Sequence, residues 1–295
     1  MKSNTWQADG LLLVTAIIWG LAFVAQRAGM EHIGPFVFNT ARFALGCLSL
    51  LPLVWLRRPD RHQPLLPLLG GSLAAGILLF GGSSLQQIGL IYTTAGNAGF
   101  ITGLYIVLVP IIALFWRQKT APYTWFGATL AVIGLFILSM TDDLTLAFGD
   151  LLELIGALFW AGHVLLIGWL CRRIDAIRLA LGQFLVCTLL SLGSALIWER
   201  FEIQAITTVW IPIVYAGVLS VGVAYTLQVV AQRHAPAAHA AIILSLESVF
   251  AALGGWLLLD ESLGPRGLLG CAIMLVGMLI SQLPAMHRKP PPEAV

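Results

Sequence analysis

The chain has 295 residues, 59% of them apolar and only 10% charged, and its 16 Lys and Arg against 14 Asp and Glu give a formal charge of +2. A soluble globular chain carries about 45–50% apolar and 25% charged side chains, so this composition cannot cover a water-exposed surface. It implies an all-α, polytopic membrane protein and excludes a soluble enzyme or a nucleic-acid-binding module.

A hydrocarbon core of about 30 Å takes about 20 apolar residues per helix. That window predicts helices at 10–28, 35–55, 65–91, 97–116 and 122–140, then at 150–171, 177–198, 209–232, 236–259 and 264–284. Met1 to Gly10 holds one Lys and no small-residue cleavage site, so the first apolar run reads as an uncleaved span rather than a signal peptide. Thr141 to Gly149, with Asp142 and Asp143, reads as a loop between two halves of a single transmembrane domain, 1–295. The tail 285–295, with Pro290, Pro291 and Pro292, is expected to be disordered and cytoplasmic. Cys47, Cys171, Cys187 and Cys271 stand singly without a metal-ligand spacing and read as small core side chains.

Alternate connections separate the cations. One side receives Lys2, Arg57, Arg58, Arg61, Arg117, Lys119, Arg172, Arg173, Arg178, Arg233, Arg288 and Lys289, whereas the other holds Arg27, Arg200 and Arg266. Arg42 lies inside a span. Because Lys and Arg mark cytoplasmic loops, this asymmetry places both termini in the cytoplasm and supports a count of ten spans.

The chain repeats itself. At a shift of 141, Ala16 falls on Ala157, Trp19 on Trp160, Phe43 on Phe184, Gly76 on Gly217, Gly81 on Gly222 and Gln87 on Gln228. At 143, Ala95 falls on Ala238, Ala98 on Ala241, Pro122 on Pro265, Gly127 on Gly270 and Gly134 on Gly277. Five helices per half is an odd number, so the second half enters the bilayer inverted. Inverted repeats of this kind place a site near the midplane and open it alternately to either side.

Several stretches resemble the EamA family of the drug/metabolite transporter superfamily. They are Trp19-Gly20 with Phe23, Pro35 with Asn39 and Arg42-Phe43, Tyr92-Thr93-Thr94-Ala95 leading to Pro110, Gly156-Ala157 through Trp160-Ala161, and Leu246-Glu247 through Trp256 to Glu261. The chain departs at Ser248, Asp260 and Gln118, where the family often has Pro, Gly and Glu. The resemblance implies a ten-helix carrier of the bacterial inner membrane, built of EamA repeats at 10–140 and 150–284. It also implies export of amino acids, other metabolites or toxic organic compounds.

Among residues that could carry chemistry, Glu247 stands about eleven residues past Pro236, near mid-membrane. A carboxyl group there is a functional candidate, for proton coupling or contact with a substrate amine; the plainer reading is a structural hydrogen bond. Arg42, about seven residues into the second helix, is expected to snorkel toward headgroups, with a gate or anion contact as the alternative. Trp19, Phe23 and Gln26 share one helical face, as do Trp160 and His163, and these aromatic faces are candidate cavity walls. Gln87 and Gln228, with Ser84 and Tyr225 one turn earlier, are symmetry-related gate candidates. Tyr105 reaches the depth of Glu247 and Ser248, so these three are expected to meet at the pseudo-twofold axis. Gly99, Gly103, Gly127 and Gly270 read as helix-packing positions.

No phosphate-binding loop, cofactor motif or hydrolase constellation is legible, so coupling falls to an ion gradient, with protons as the candidate ion, or to the substrate's own gradient. The expected function is a secondary carrier for a small amphipathic metabolite such as an amino acid, with a small-molecule substrate and the lipid bilayer as its partners. A multidrug exporter of aromatic or cationic compounds is the alternative. An intramembrane enzyme or receptor using Glu247 and His163 is the more distant one.

Overall fold

The computed structural model describes residues 2–56, 65–113, 122–139, 147–235 and 237–281. The expected tail, Gln118 and most of the expected cytoplasmic cations lie outside those residues. The helices in chain order are α1 (Lys2–Gly29), α2 (Pro35–Leu56), α3 (Leu65–Gly89), α4 (Ala95–Gly103), α5 (Tyr105–Ala113), α6 (Pro122–Ser139), α7 (Phe148–Leu170) and α8 (Ala176–Trp198). There follow α9 (Ile203–Thr208), α10 (Trp210–Val214), a π-helical segment (Tyr215–Tyr225), α11 (Thr226–Ala231), α12 (Ala237–Leu244), α13 (Glu247–Leu259) and α14 (Pro265–Ser281).

Eight helical stretches among the described residues are long and apolar enough to cross a membrane, and Trp125–Leu138 and Pro265–Ile280 are shorter apolar helices. The expected count of ten takes these two as spans as well. The surface is that of a lipid-facing protein. Trp55, Leu66, Ile203 and Trp198 are more than two-thirds exposed, while Asn39, Arg42, Gln87, Glu153, His163, Gln183 and Glu247 are buried. In water this arrangement would be inside out; in hydrocarbon it lowers the free energy on both counts.

Elements of equal rank in the two halves run antiparallel against each other. On α6 and α14, a methyl group added at Gly134 would meet the Gly270 carbonyl, and one at Gly277 would meet the Gly127 carbonyl. Numbering thus rises along one helix as it falls along the other. On α2 and α8, Phe36 and Val37 meet Glu199, while the Phe43 ring lies 6.3 Å from that of its own repeat mate Phe184, tilted by 41°. Gly99 lies against Ala251 and Gly103 against Ser248, which sets α4 antiparallel to α13. The second half is therefore inverted relative to the first, with the Phe43 and Phe184 contact on the pseudo-twofold axis.

The predicted fourth and ninth spans are not continuous. Helix geometry breaks at Leu104, where Leu104 N donates to Ile101 O at 3.1 Å and Val107 N to Leu104 O at 2.9 Å. It breaks again at Ser245 and Leu246, where Leu246 N donates to Ile243 O at 3.2 Å and Ser248 N to Ser245 O at 3.1 Å. Both are local tightenings to i→i−3 bonding. Under the 143-residue shift Ser245 and Leu246 correspond to 102 and 103, so the two breaks fall within two residues of each other. The eighth predicted span holds a further irregularity, the 11-residue π-helical segment. Its equivalent in α3 is a regular α-helix.

Candidate functional site

A cavity lies where α1, α2, α3, α4, α5, α7, the π-helical segment, α11 and α13 converge. From the first half it is lined by Trp19, Ala22, Phe23, Gln26, Arg42, Gln86, Thr102 and Tyr105. From the second come Trp160, His163, Val164, Ser220, Tyr225, Gln228 and Glu247.

The aromatic wall is organised around Tyr225. Its ring lies 4.6 Å from Trp19, 5.8 Å from Phe184, 6.2 Å from His163, 6.3 Å from Trp160 and 6.5 Å from Phe43. The π-helical segment presents both Tyr225 and the Ser220 carbonyl, which accepts the Trp19 indole N–H at 3.2 Å. The Ala224 carbonyl of the same segment accepts from the Thr15 hydroxyl at 3.4 Å. Trp160, the repeat mate of Trp19, donates instead to Gln86 Oε1 at 3.1 Å.

The polar groups form two sets. Arg42 Nη1 donates to Gln26 Oε1 at 2.6 Å, and Gln86 Nε2 donates to the same oxygen at 3.0 Å. His163 Nε2 pairs with Gln183 Oε1 at 2.8 Å, and Gln183 is the repeat mate of Arg42. Glu247 opens α13 immediately after the helix break, is 3% exposed, and has the Tyr105 hydroxyl beside it but outside hydrogen-bond geometry. Among the described residues no cation lies within 4 Å of Glu247 and no carboxylate within 4 Å of Arg42.

Trp19, Phe23, Tyr105, Trp160, His163, Tyr225 and Glu247 thus share one cavity, and Arg42 and Gln228 join them. Four expectations need correction. Ser248 lies beside Glu247 in sequence but faces α4, where its hydroxyl donates to Gly99 O at 2.9 Å. Gln87 stands behind Gln26, donating to its carbonyl at 3.2 Å, and Ser84 is buried outside the cavity lining. The symmetric pair Gln87 and Gln228 is thereby split; a π-helical segment precedes Gln228 and has no counterpart before Gln87.

The snorkelling expected of Arg42 does not occur. Its side chain turns inward, with the guanidinium 4.9 Å from the Phe43 ring centre and 5.9 Å from that of Phe38.

Gln86, Thr102, Ser220 and Val164 line the cavity without having been singled out. Symmetry favoured Gln87 over its neighbour Gln86, whose repeat mate is the apolar Leu227. Behind Thr102 lies Glu153, wholly buried, accepting the Thr102 hydroxyl at 3.0 Å. Its signal was a carboxylate inside an apolar run, overlooked because it falls near the start of a predicted span.

Comparison with known proteins now bears on this arrangement. A family model described as the EamA-like transporter family matches residues 6–140 and again residues 147–282. A protein of Archaeoglobus fulgidus named "Uncharacterized transporter" is 34% identical over 278 residues, spanning 94% of this chain and 86% of that one. "Uncharacterized transporter YoaV" of Bacillus subtilis is 23% identical, spanning 95% and 98%. "Uncharacterized inner membrane transporter YedA" of Escherichia coli K12 is 29% identical over 52% of this chain and 50% of its own. One solved crystal structure shares the fold, with a TM-score of 0.69 at 18% identity over 94% of this chain and 97% of that one.

Proposed function

This chain belongs to the EamA-like transporter family, and from that premise we propose that it is a secondary carrier exporting a small amphipathic metabolite, such as an amino acid, by alternating access through the cavity between its halves. Its place in this reading is the bacterial inner membrane, with both termini cytoplasmic. The observation that carries the reading is the cavity itself: both inverted halves line it, and both broken helices end at it. Helices interrupted at closely corresponding points of two inverted repeats are a recurrent setting for a midplane substrate site. The rings about Tyr225 supply an apolar surface for the solute, and Arg42, His163, Gln228 and Glu247 supply polar contacts.

Glu247 takes the coupling role in this reading. A carboxyl group with a cavity on one side and, among the described residues, no cation within 4 Å can exchange a proton with whichever side the cavity faces.

The purified chain in proteoliposomes, screened first for solutes that raise its melting temperature, is expected to move such a solute, and to do so faster with a pH gradient than without. Glu247→Gln is expected to abolish that acceleration while leaving the melting temperature near that of the parent. An unchanged gradient response in the variant would remove the proton role, and no solute movement at all would sink the carrier reading.

The aromatic wall with Glu247 also suits a lipophilic cation. Arg42 in the same wall disfavours it, because a cationic solute would meet an uncompensated positive charge.

A further inference from the structure

We propose that Arg42, held by Gln26 and Gln86, is an anion-binding subsite that takes an oxyanion group of the carried solute. The proposal rests on the carrier reading and narrows its substrate class to solutes with an anionic headgroup.

Arginine stays protonated in proteins, so a guanidinium 3% exposed is a buried positive charge. Such a charge is costly to bury unless an opposite charge and hydrogen bonds compensate it. Among the described residues no Asp or Glu lies within 4 Å of it. The groups that face it are the Phe38 and Phe43 rings, Tyr225, Cys187 and the Gln26 amide. Among the described residues only Gln26 Oε1 accepts from it, at 2.6 Å, and Nε is buried with no hydrogen-bond partner. The cation is therefore built into the cavity wall with part of its donor fork unused.

The fork is also pre-positioned. Gln26 is pinned through Nε2 to the Ala22 carbonyl at 3.1 Å, and Gln86 and Trp160 continue the hydrogen-bonded chain from its oxygen. Ring contacts on Phe43 further restrict the guanidinium plane. A planar fork held in one orientation matches carboxylate or phosphoryl oxygens, and an anion seated there supplies the missing counter-charge. The equivalent position in the second half, Gln183, is uncharged and already paired with His163. The two halves are therefore unequal at this point, and a solute would enter with its anionic end toward Arg42.

The full-length protein is titrated with phenylacetate, phenyl phosphate and phenethylamine, which share a ring and differ in headgroup, following tryptophan fluorescence and melting temperature. Binding of either anion about tenfold or more tighter than the amine is expected, and the stronger of the two anions tells a carboxylate solute from a phosphorylated one. Arg42→Gln should erase that preference, and Arg42→Lys, which keeps the charge and loses the fork, should retain part of it. If Arg42→Gln does not fold, Gln26→Leu keeps the cation, removes its positioning group, and should weaken the anions without weakening the amine. Equal binding of the three probes, preference for the amine, absence of binding by both anions, or anion affinity unchanged in a folded Arg42→Gln or Gln26→Leu variant would each overturn the subsite. Failure of the carrier reading looks different: anions would bind with this preference while proteoliposomes moved none of them.

Discussion

At the scale of single residues, the cavity wall depends on Tyr225, whose ring touches those of Trp19, Phe43, Trp160, His163 and Phe184. Replacement by Ala removes every one of those contacts and is expected to cost about 3 kcal/mol, measured as a lower denaturation midpoint. Tyr225→Phe keeps the ring stack and should stay within about 1 kcal/mol of the parent. Solute binding should follow the same order, since the ring borders the cavity directly. A Tyr225→Ala variant as stable as the parent would mean that the neighbouring rings close over the gap. Which aromatic residues could form such a wall was legible, because Trp19 and Trp160 lie deep in apolar runs and not at their ends. That Tyr225 sits at the centre was not, since a hub is defined by contacts between residues up to 206 positions apart.

At the scale of elements, close packing of α6 on α14 rests on glycines that let the two backbones touch. A methyl group at Gly134 would lie 2.7 Å from both the Gly270 carbonyl and the Met274 amide, and neither backbone group can move cheaply. Gly134→Ala should therefore destabilise by about 1–3 kcal/mol. Gly193, inside α8, has nothing within 4 Å of its added methyl. Gly193→Ala should be neutral or stabilising by about 0.5–1 kcal/mol, because it lowers chain entropy in the unfolded state and adds helix propensity. Parallel melting curves of the two variants test the pair, and a Gly134→Ala protein as stable as Gly193→Ala would refute the backbone contact. Repeat matching located Gly127, Gly134, Gly270 and Gly277, since small residues seven apart mark one helical face. Helix breaks at Leu104 and at Ser245–Leu246 are not legible in the sequence, because no Pro or Gly cluster marks the second and the geometry is set by packing.

For the whole molecule, contacts sort the connections into two faces. On one, Glu199 accepts from the Phe36 and Val37 amides at 2.9 and 2.7 Å, Glu261 from the Ala95 and Gly96 amides at 3.0 and 3.4 Å, and Asp150 from the Thr93 hydroxyl at 2.5 Å. Each of these carboxylates belongs to the second half and its donors to the first, and Glu199 and Glu261 sit at helix N-termini, where anions are favoured. On the other face Arg233 reaches the Cys171 and Ile174 carbonyls, and His239 meets Asp9 at 2.8 Å. In an alternating-access cycle the carboxylate-latched face must part. Linking Gly34→Cys to Glu199→Cys with a cleavable thiol cross-linker should therefore arrest solute flux, and cleaving the link should restore it. Undiminished flux in the cross-linked protein would show that this face stays closed throughout. Glu199→Ala, which leaves two N–H groups of α2 without their acceptor, should lower stability by about 0.5–2 kcal/mol in the same melting assay.

Composition, hydropathy length and the internal repeat determined that this is an inverted, helical membrane protein with its polar residues inside, because burial in hydrocarbon and helix periodicity act locally along the chain. They also marked Glu247 and the paired tryptophans, since a charge or an indole deep in an apolar run is visible without knowing its neighbours. Tertiary structure alone decided which way side chains turn. Arg42 faces a cavity and not the headgroups, Ser248 a neighbouring helix and not the cavity, and Gln86 rather than Gln87 lines the wall. Those outcomes depend on helix rotation, on the π-helical segment and on the two breaks, which are set by packing between helices distant in sequence.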